Sequence, residues 1–201
     1  IGLDPVYYKN LQGRFELVDE DIIHSVYKVR KTFAHKGNFG HALLVAGSYG
    51  KMGAAVLAAN ACMRSGVGLL TCHIPECGYE IVQSAVPGEI VLTDINSLFN
   101  TTIRDELTGY ESIGIGPGIG TAAETKTMLR EILESYRNPV ILDADALNIL
   151  ASQKDLLQLV PAGSILTPHP KEFERLFGET LPAGQAGVND FDRMLLASQK
   201  A

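Results

Sequence analysis

The chain has no tryptophan and only three cysteines in 201 residues. Cys62, Cys72 and Cys77 form no C-x-x-C pair, which argues against a disulfide framework and against a cysteine zinc site. Three unpaired thiols suit a reducing compartment, so a cytoplasmic setting is expected. Basic runs of five or more are missing too, and 17 Lys and Arg against 23 Asp and Glu give a net charge of −6. That balance excludes a phosphate-backbone footprint, and with it nucleic acid as a partner. The longest apolar runs, such as "HALLVAG", fall far short of the roughly 20 residues needed to span a bilayer, so no membrane segment is expected. An initiating Met is absent from "IGLDPVYYKN", and so is a charged-then-apolar signal pattern, which reads as a segment of a longer polypeptide.

What the sequence does have is apolar content, at 46%, with 20 glycines. A chain of this length can bury roughly 70% of its unfolded surface in one main domain. Residues 1–20 lack sustained periodicity and read as linker; "DEDIIHSVYKVRK" follows as a short helical pattern, with Asp19 or Asp21 as caps. From Ala42 a rhythm sets in. Strands "ALLVAG", "LLTCHIP", "EIVLTD", "SIGIGP", "PVILDAD" and "SILTPH" alternate with helices "GAAVLAANACMRSG", "CGYEIVQSAV", a weakly defined one at 101–108, "TAAETKTMLREILESYR" and "KEFERLFG". In the fourth helix, Thr121 is the expected N-cap with Glu124 completing a capping box, and Met128, Leu129, Ile132 and Leu133 form the buried stripe. Asp192 is expected to open a last helix after "LPAGQAGVND", a stretch rich in turn residues. Apolar strands alternating with helices predict an α/β fold, a mostly parallel sheet covered on both faces. Ligands in such sheets sit beyond the carboxyl ends of the strands.

Four connections at those ends carry chemistry. "GSYGKMGAA", Gly47 to Ala55, lets backbone N–H groups approach an anion without a Cβ in the way. Lys51 is followed by Met52, so it is not a Walker A loop, and the G-x-x-G-x-x-G spacing is not the dinucleotide fingerprint. Tight turning alone is the competing explanation of its glycines. "GIGPGIG" places glycines at 114, 116, 118 and 120 and leaves a flat backbone that can pass a planar ring or a pyrophosphate. Two such loops at one sheet end favour a nucleotide-like ligand.

"ILDADALN" puts Asp143 and Asp145 on one side of an extended chain, where carboxylates can hold Mg²⁺ through water or orient a hydroxyl; Asp145 can equally cap the helix "ALNIL". In "TPHPKE", Pro168 and Pro170 bias Thr167 and His169 towards extended geometry, and Pro170 suits a first helical turn. His169 is thereby held rigidly beside the glycine loops. No Cys or second His lies nearby in sequence, which argues against zinc and leaves a ligand contact or a structural histidine.

In this order, "HKGNFGHALLVAGSYGKMGAAVLAANACMRSGVGLLT", "IGIGPGIG", "PVILDADALN" and "ILTPHPKEFERLFG" resemble the ADP/ATP-dependent NAD(P)H-hydrate dehydratase family, from about Phe15 to Gly178. The resemblance implies a ribokinase-like fold at residues 21–201, partial at its C-terminal end, and residues 1–20 as the tail of a preceding epimerase domain of a bifunctional enzyme. It also implies dehydration of hydrated NADH or NADPH back to NADH or NADPH, with ADP or ATP as co-substrate and Mg²⁺ as its companion. Ala54, Gly118 and His169 would contact the hydrated dinucleotide, and Asp143 and Asn148 would line the same cleft. The family pattern continues into a Lys-Gly-x-x-Thr turn for the adenine nucleotide and a Gly-Asp pair whose aspartate is the general base. This chain has no Gly-Asp pair, and its Lys-Gly is Lys36-Gly37, ahead of the first core strand. A ribokinase-like kinase of a small alcohol and a dinucleotide-binding fragment without turnover are the alternatives. An incomplete sheet would expose an edge and an apolar face, from which a homo-oligomer is expected.

Overall fold

The computed structural model describes residues 18–27, 29–178 and 190–201. Contacts divide the chain into two units, residues 1–34 and residues 35–201. Almost all of the expected linker, residues 1–17, lies outside the described residues.

In the first unit, helix α1 spans Glu20–Val26, and Asp19 Oδ1 accepts the Ile22 N–H at 3.2 Å as the expected cap. The helix was expected to reach Lys31 but ends at Val26, with Tyr27 extended. None of its residues is buried, so only local propensity sustains it, and that is marginal over so few residues.

The second unit is built on six parallel strands, β1 His41–Val45, β2 Leu69–Ile74, β3 Ile90–Thr93, β4 Ser112–Ile115, β5 Val140–Leu142 and β6 Ile165–Leu166, in spatial order β3-β2-β1-β4-β5-β6. Six helices accompany them among the described residues: α2 Met52–Ser65, α3 Tyr79–Ala85, α4 Ala123–Ser135, α5 Asp145–Ser152, α6 Pro170–Phe177 and α7 Asp190–Lys200. The chain builds outwards from β1 to β3, then returns to place β4 on the other side of β1. That reversal opens a crevice at the carboxyl ends of β1 and β4, the place where open α/β sheets bind ligands.

Side-chain alternation divides the core between the two faces. On one, Leu43, Val45, Ile113, Ile115, Val140 and Leu142 pack with Met128, Leu129, Ile132 and Leu133 of α4 and with Leu147 and Leu150 of α5. On the other, Leu44, Leu70, Cys72 and Ile74 pack with Ala55 and Ala59 of α2 and Val82 of α3. The small, fully buried Ala55 and Ala59 let α2 lie close to the sheet. Ile141 and Ile165, register partners in β5 and β6, remain exposed. No helix among the described residues is long and apolar enough to cross a membrane.

Four expectations fail, three of them for identifiable reasons. The stretch 101–108 is not helical but a loop followed by a short 3₁₀ turn at Leu107–Gly109, because the Thr101 and Thr102 N–H groups bond the Asp94 carboxylate at 2.7 and 3.0 Å. Helix α4 starts at Ala123, with Ala122 at the cap position and no side-chain cap, so Thr121 does not cap it. The preceding Gly120 N–H is tied sideways to Asp145 at 2.9 Å, which keeps the chain in loop geometry past Thr121. The expected strands at 139–145 and 164–169 shrink to three and two residues, because the chain turns into the site at Asp143 and Thr167. The last helix starts at Asp190, two residues before Asp192.

Candidate functional site

The two glycine loops meet where the strand order reverses. The Gly47 N–H donates to Pro117 O at 2.8 Å, and the buried Ser48 hydroxyl donates to Gly118 O at 2.7 Å. Gly118 has φ +71, and a Cβ there would lie 3.0 Å from Lys51 O and 3.2 Å from the Ala54 Cβ. Ala54 and Gly118, far apart in sequence, are therefore neighbours across the crevice. Gly116 has φ +134, and a Cβ there would overlap the Asp143 carbonyl oxygen, so the ends of β4 and β5 touch backbone to backbone. Glycine at these two positions is demanded by both dihedral angle and space.

The next strand end adds charge. Ala144, at φ 49, is the one non-glycine with positive φ among the described residues. Such strain persists only where the surroundings over-determine it. On one side of it, Asp143 Oδ1 accepts the Thr167 hydroxyl at 2.7 Å, joining β5 to β6. On the other, Asp145 Oδ2 accepts both Lys51 Nζ at 3.1 Å and the Gly120 N–H at 2.9 Å, joining three loops through one oxygen. Asp145 is the first residue of α5 and makes no side-chain cap, so the capping role weighed for it is replaced by this bridge. Asn148, one turn on, accepts Arg175 Nη1 of α6 at 2.8 Å and donates to Ala144 O at 3.2 Å.

His169 caps α6. Its Nδ1 accepts the Lys171 and Glu172 N–H groups at 3.1 and 3.4 Å, while Glu172 Oε2 accepts the His169 N–H at 3.0 Å. With Nδ1 an acceptor, the proton of the neutral ring sits on Nε2. That atom lies 3.4 Å from Glu172 Oε1; the imidazole is 57% exposed and the Glu172 side chain 8%. The ring is thus fixed by its inner nitrogen, and its outer, partly exposed nitrogen lies beside Glu172 Oε1. Arg175–Asn148 and Thr167–Asp143 tie its supports to β5 and α5.

A buried segment that the sequence reasoning missed supports this arrangement. Asn100 is fully buried, and its Nδ2 donates to Ala46 O at 3.2 Å and Gly47 O at 3.0 Å, where β1 gives way to the first glycine loop. The Asn100 backbone carbonyl accepts the Thr125 hydroxyl at 2.7 Å, and Leu98 O accepts the Tyr49 N–H at 2.7 Å. Asp94 closes the segment by accepting the Asn96, Thr101 and Thr102 N–H groups and the Thr101 hydroxyl, with His73 Nε2 at 3.3 Å. Burial works to raise the Asp94 carboxyl, but the Thr101 hydroxyl and these N–H groups outweigh it and hold it below its ordinary value. Burial lowers the His73 imidazole despite Asp94. "DIN" offered an Asx-turn signal for this segment; nothing local marked Asn100.

A hollow of about 480 Å³ lies beyond that segment, lined by Ile95, Asn96, Thr101, Thr102, Glu124 and Thr127, and it includes none of Ala54, Gly118, Asp143, Asn148 or His169. Two of its polar side chains are committed, Thr101 to Asp94 and the Thr127 hydroxyl to Ala123 O. No group of three or more His, Cys, Asp or Glu gathers as a metal site among the described residues. Asp143 and Asp145 are each engaged by other partners.

The sequence profile of the NAD(P)H-hydrate dehydratase family matches residues 42–199. The chain is 34% identical over 180 residues to an ADP-dependent (S)-NAD(P)H-hydrate dehydratase of Streptococcus thermophilus, covering 89% of this chain and 63% of that protein. Among solved structures, a ribokinase-like superfamily protein of Enterococcus faecalis superposes with TM-score 0.72 at 24% identity, over 90% of this chain and 62% of the other. An ADP/ATP-dependent NAD(P)H-hydrate dehydratase of Bacillus subtilis, co-crystallized with ATP/Mg²⁺, gives TM-score 0.65 at 27% identity, over 90% and 60%. The fold is ribokinase-like, as expected, and the chain spans about three fifths of each of these proteins.

Proposed function

Because the chain belongs to the NAD(P)H-hydrate dehydratase family, we propose that the crevice between its glycine loops holds hydrated NADH or NADPH and serves the ADP- or ATP-dependent loss of water that returns the dinucleotide to NADH or NADPH. The observation that carries this reading is that Ala54 and Gly118 stand side by side at the strand-order reversal, where the two glycine loops meet with no large side chain between them. A flat backbone wall there suits a planar ring or a pyrophosphate. The Nε2–H of His169 donates to the substrate, and Asp143 and Asn148, with Thr167 and Arg175 fixing them, shape the floor. Mg²⁺ would come with the nucleotide, and no residue of this chain is assigned to it. The setting is cytoplasmic, which the free thiols of Cys62, Cys72 and Cys77 support, and the exposed pair Ile141 and Ile165 supports self-association.

The test is hydrated NADH offered with ADP or ATP to two proteins, the 201-residue chain and a fusion that adds the part of the Streptococcus thermophilus relative outside the matched 63%. The chain is expected to bind the hydrated dinucleotide with little turnover, and the fusion to restore NADH absorbance. A fusion that ignores hydrated NADH and phosphorylates an alcohol would replace the dehydratase reading with the kinase one.

A further inference from the structure

Asp145 Oδ2 occupies an unusual position for a side-chain oxygen. It accepts from an ammonium, Lys51 Nζ at 3.1 Å, and from a loop amide, Gly120 N at 2.9 Å. A cation and a glycine-loop N–H converging on one oxygen is how proteins hold a phosphate oxygen. We propose that Lys51 and the Gly120 N–H form a phosphate-oxygen subsite, that Asp145 occupies it as an internal placeholder in the ligand-free chain, and that a pyrophosphate-bearing ligand displaces the carboxylate.

Three observations carry the exchange. The Gly120 amide has a single proton, so Asp145 and a ligand compete for it. The pair is reachable from solvent on the lysine side, with the Lys51 side chain 53% exposed and that of Asp145 19%. The displaced carboxylate has a second partner at hand, because Asn148 Nδ2 already lies 3.5 Å from Asp145 Oδ1. The subsite adjoins Gly118 and Ala54, since the Lys51 carbonyl and Cβ pack against Gly118. Its assignment to a dinucleotide rests on the proposed function; its preference for phosphate does not.

Calorimetric titration of the 201-residue chain with inorganic pyrophosphate tests the exchange. Asp145→Asn removes the competing charge and is expected to tighten pyrophosphate binding about fivefold, while Lys51→Ala weakens it by about as much, with both differences shrinking at high salt. Asp145→Ser serves if the Asn variant misfolds. Unchanged or weaker binding in the Asp145 variants, or no binding by any form, overturns the subsite. Titration with NADH separates the two readings. NADH affinity that follows the pyrophosphate pattern supports both; pyrophosphate that responds while NADH does not leaves the subsite standing and removes the dinucleotide.

Discussion

The first glycine loop, Gly47 to Gly53, and the second, Gly114 to Gly120, are alike in composition and stand side by side, yet their surroundings make opposite demands. In the first, a Cβ on Gly50 or Gly53 would meet nothing within 4 Å, and one on Gly47 would press on the flexible end of Met52. In the second, a Cβ on Gly116 would run into the Asp143 backbone and one on Gly118 into Lys51 O. The first loop therefore uses glycine to keep its surface open, and the second uses Gly116 and Gly118 to let chains touch, with open space only at Gly120. A shared sequence signature conceals two physical requirements, and substitutions separate them.

The largest effect is expected at Gly116. Ala there must escape both φ +134 and overlap with Asp143 O, at a cost of about 3 kcal/mol or more in denaturant unfolding. Asn100→Leu comes next. It leaves the buried Ala46 and Gly47 carbonyls without their donor, costs about 2 kcal/mol, and loosens the first loop, which amide exchange at Gly47 and Tyr49 would register.

A pH effect of intermediate size tests the support beneath that loop. His73 is held below its ordinary value of 6.5, so the unfolded chain takes up the proton first as pH falls. Stability is full above about 6.5 and declines below it, and His73→Gln should flatten that slope. Asp94 has the separate acid window of a lowered carboxyl: its contribution is present above 3.8 and lost below it. The smallest effect has the opposite sign. Gly53→Ala, in the first turn of α2 with open space around it, should stabilise the chain by about 0.5 kcal/mol.

The fold was legible because apolar strand runs and the stripe Met128, Leu129, Ile132 and Leu133 are local signals. Placing Gly118 and His169 at the same sheet end was legible too, since every βα loop of a parallel sheet emerges there. What bound the loops together was not. Lys51–Asp145 spans 94 positions, Asn100–Ala46 spans 54 and Gly120–Asp145 spans 25, and periodicity carries no information about pairings so distant. The same blindness explains the misplaced cap at Thr121 and the absent helix at 101–108, where Asp145 and Asp94 took N–H groups that local reasoning had left for other uses.

The comparison of the loops and the proposed site meet in one measurement, the affinity of hydrated NADH for the Gly118→Ala and Gly50→Ala variants. Both substitutions impose positive φ on alanine, +71 and +78, so the backbone strain is closely matched. Only the first crowds Ala54 and the Lys51 carbonyl; a Cβ on Gly50 meets nothing within 4 Å. Binding weakened at least about tenfold, roughly 1.4 kcal/mol, by Gly118→Ala and little changed by Gly50→Ala is the predicted result. Equal affinities in the two variants would contradict a substrate site between the glycine loops.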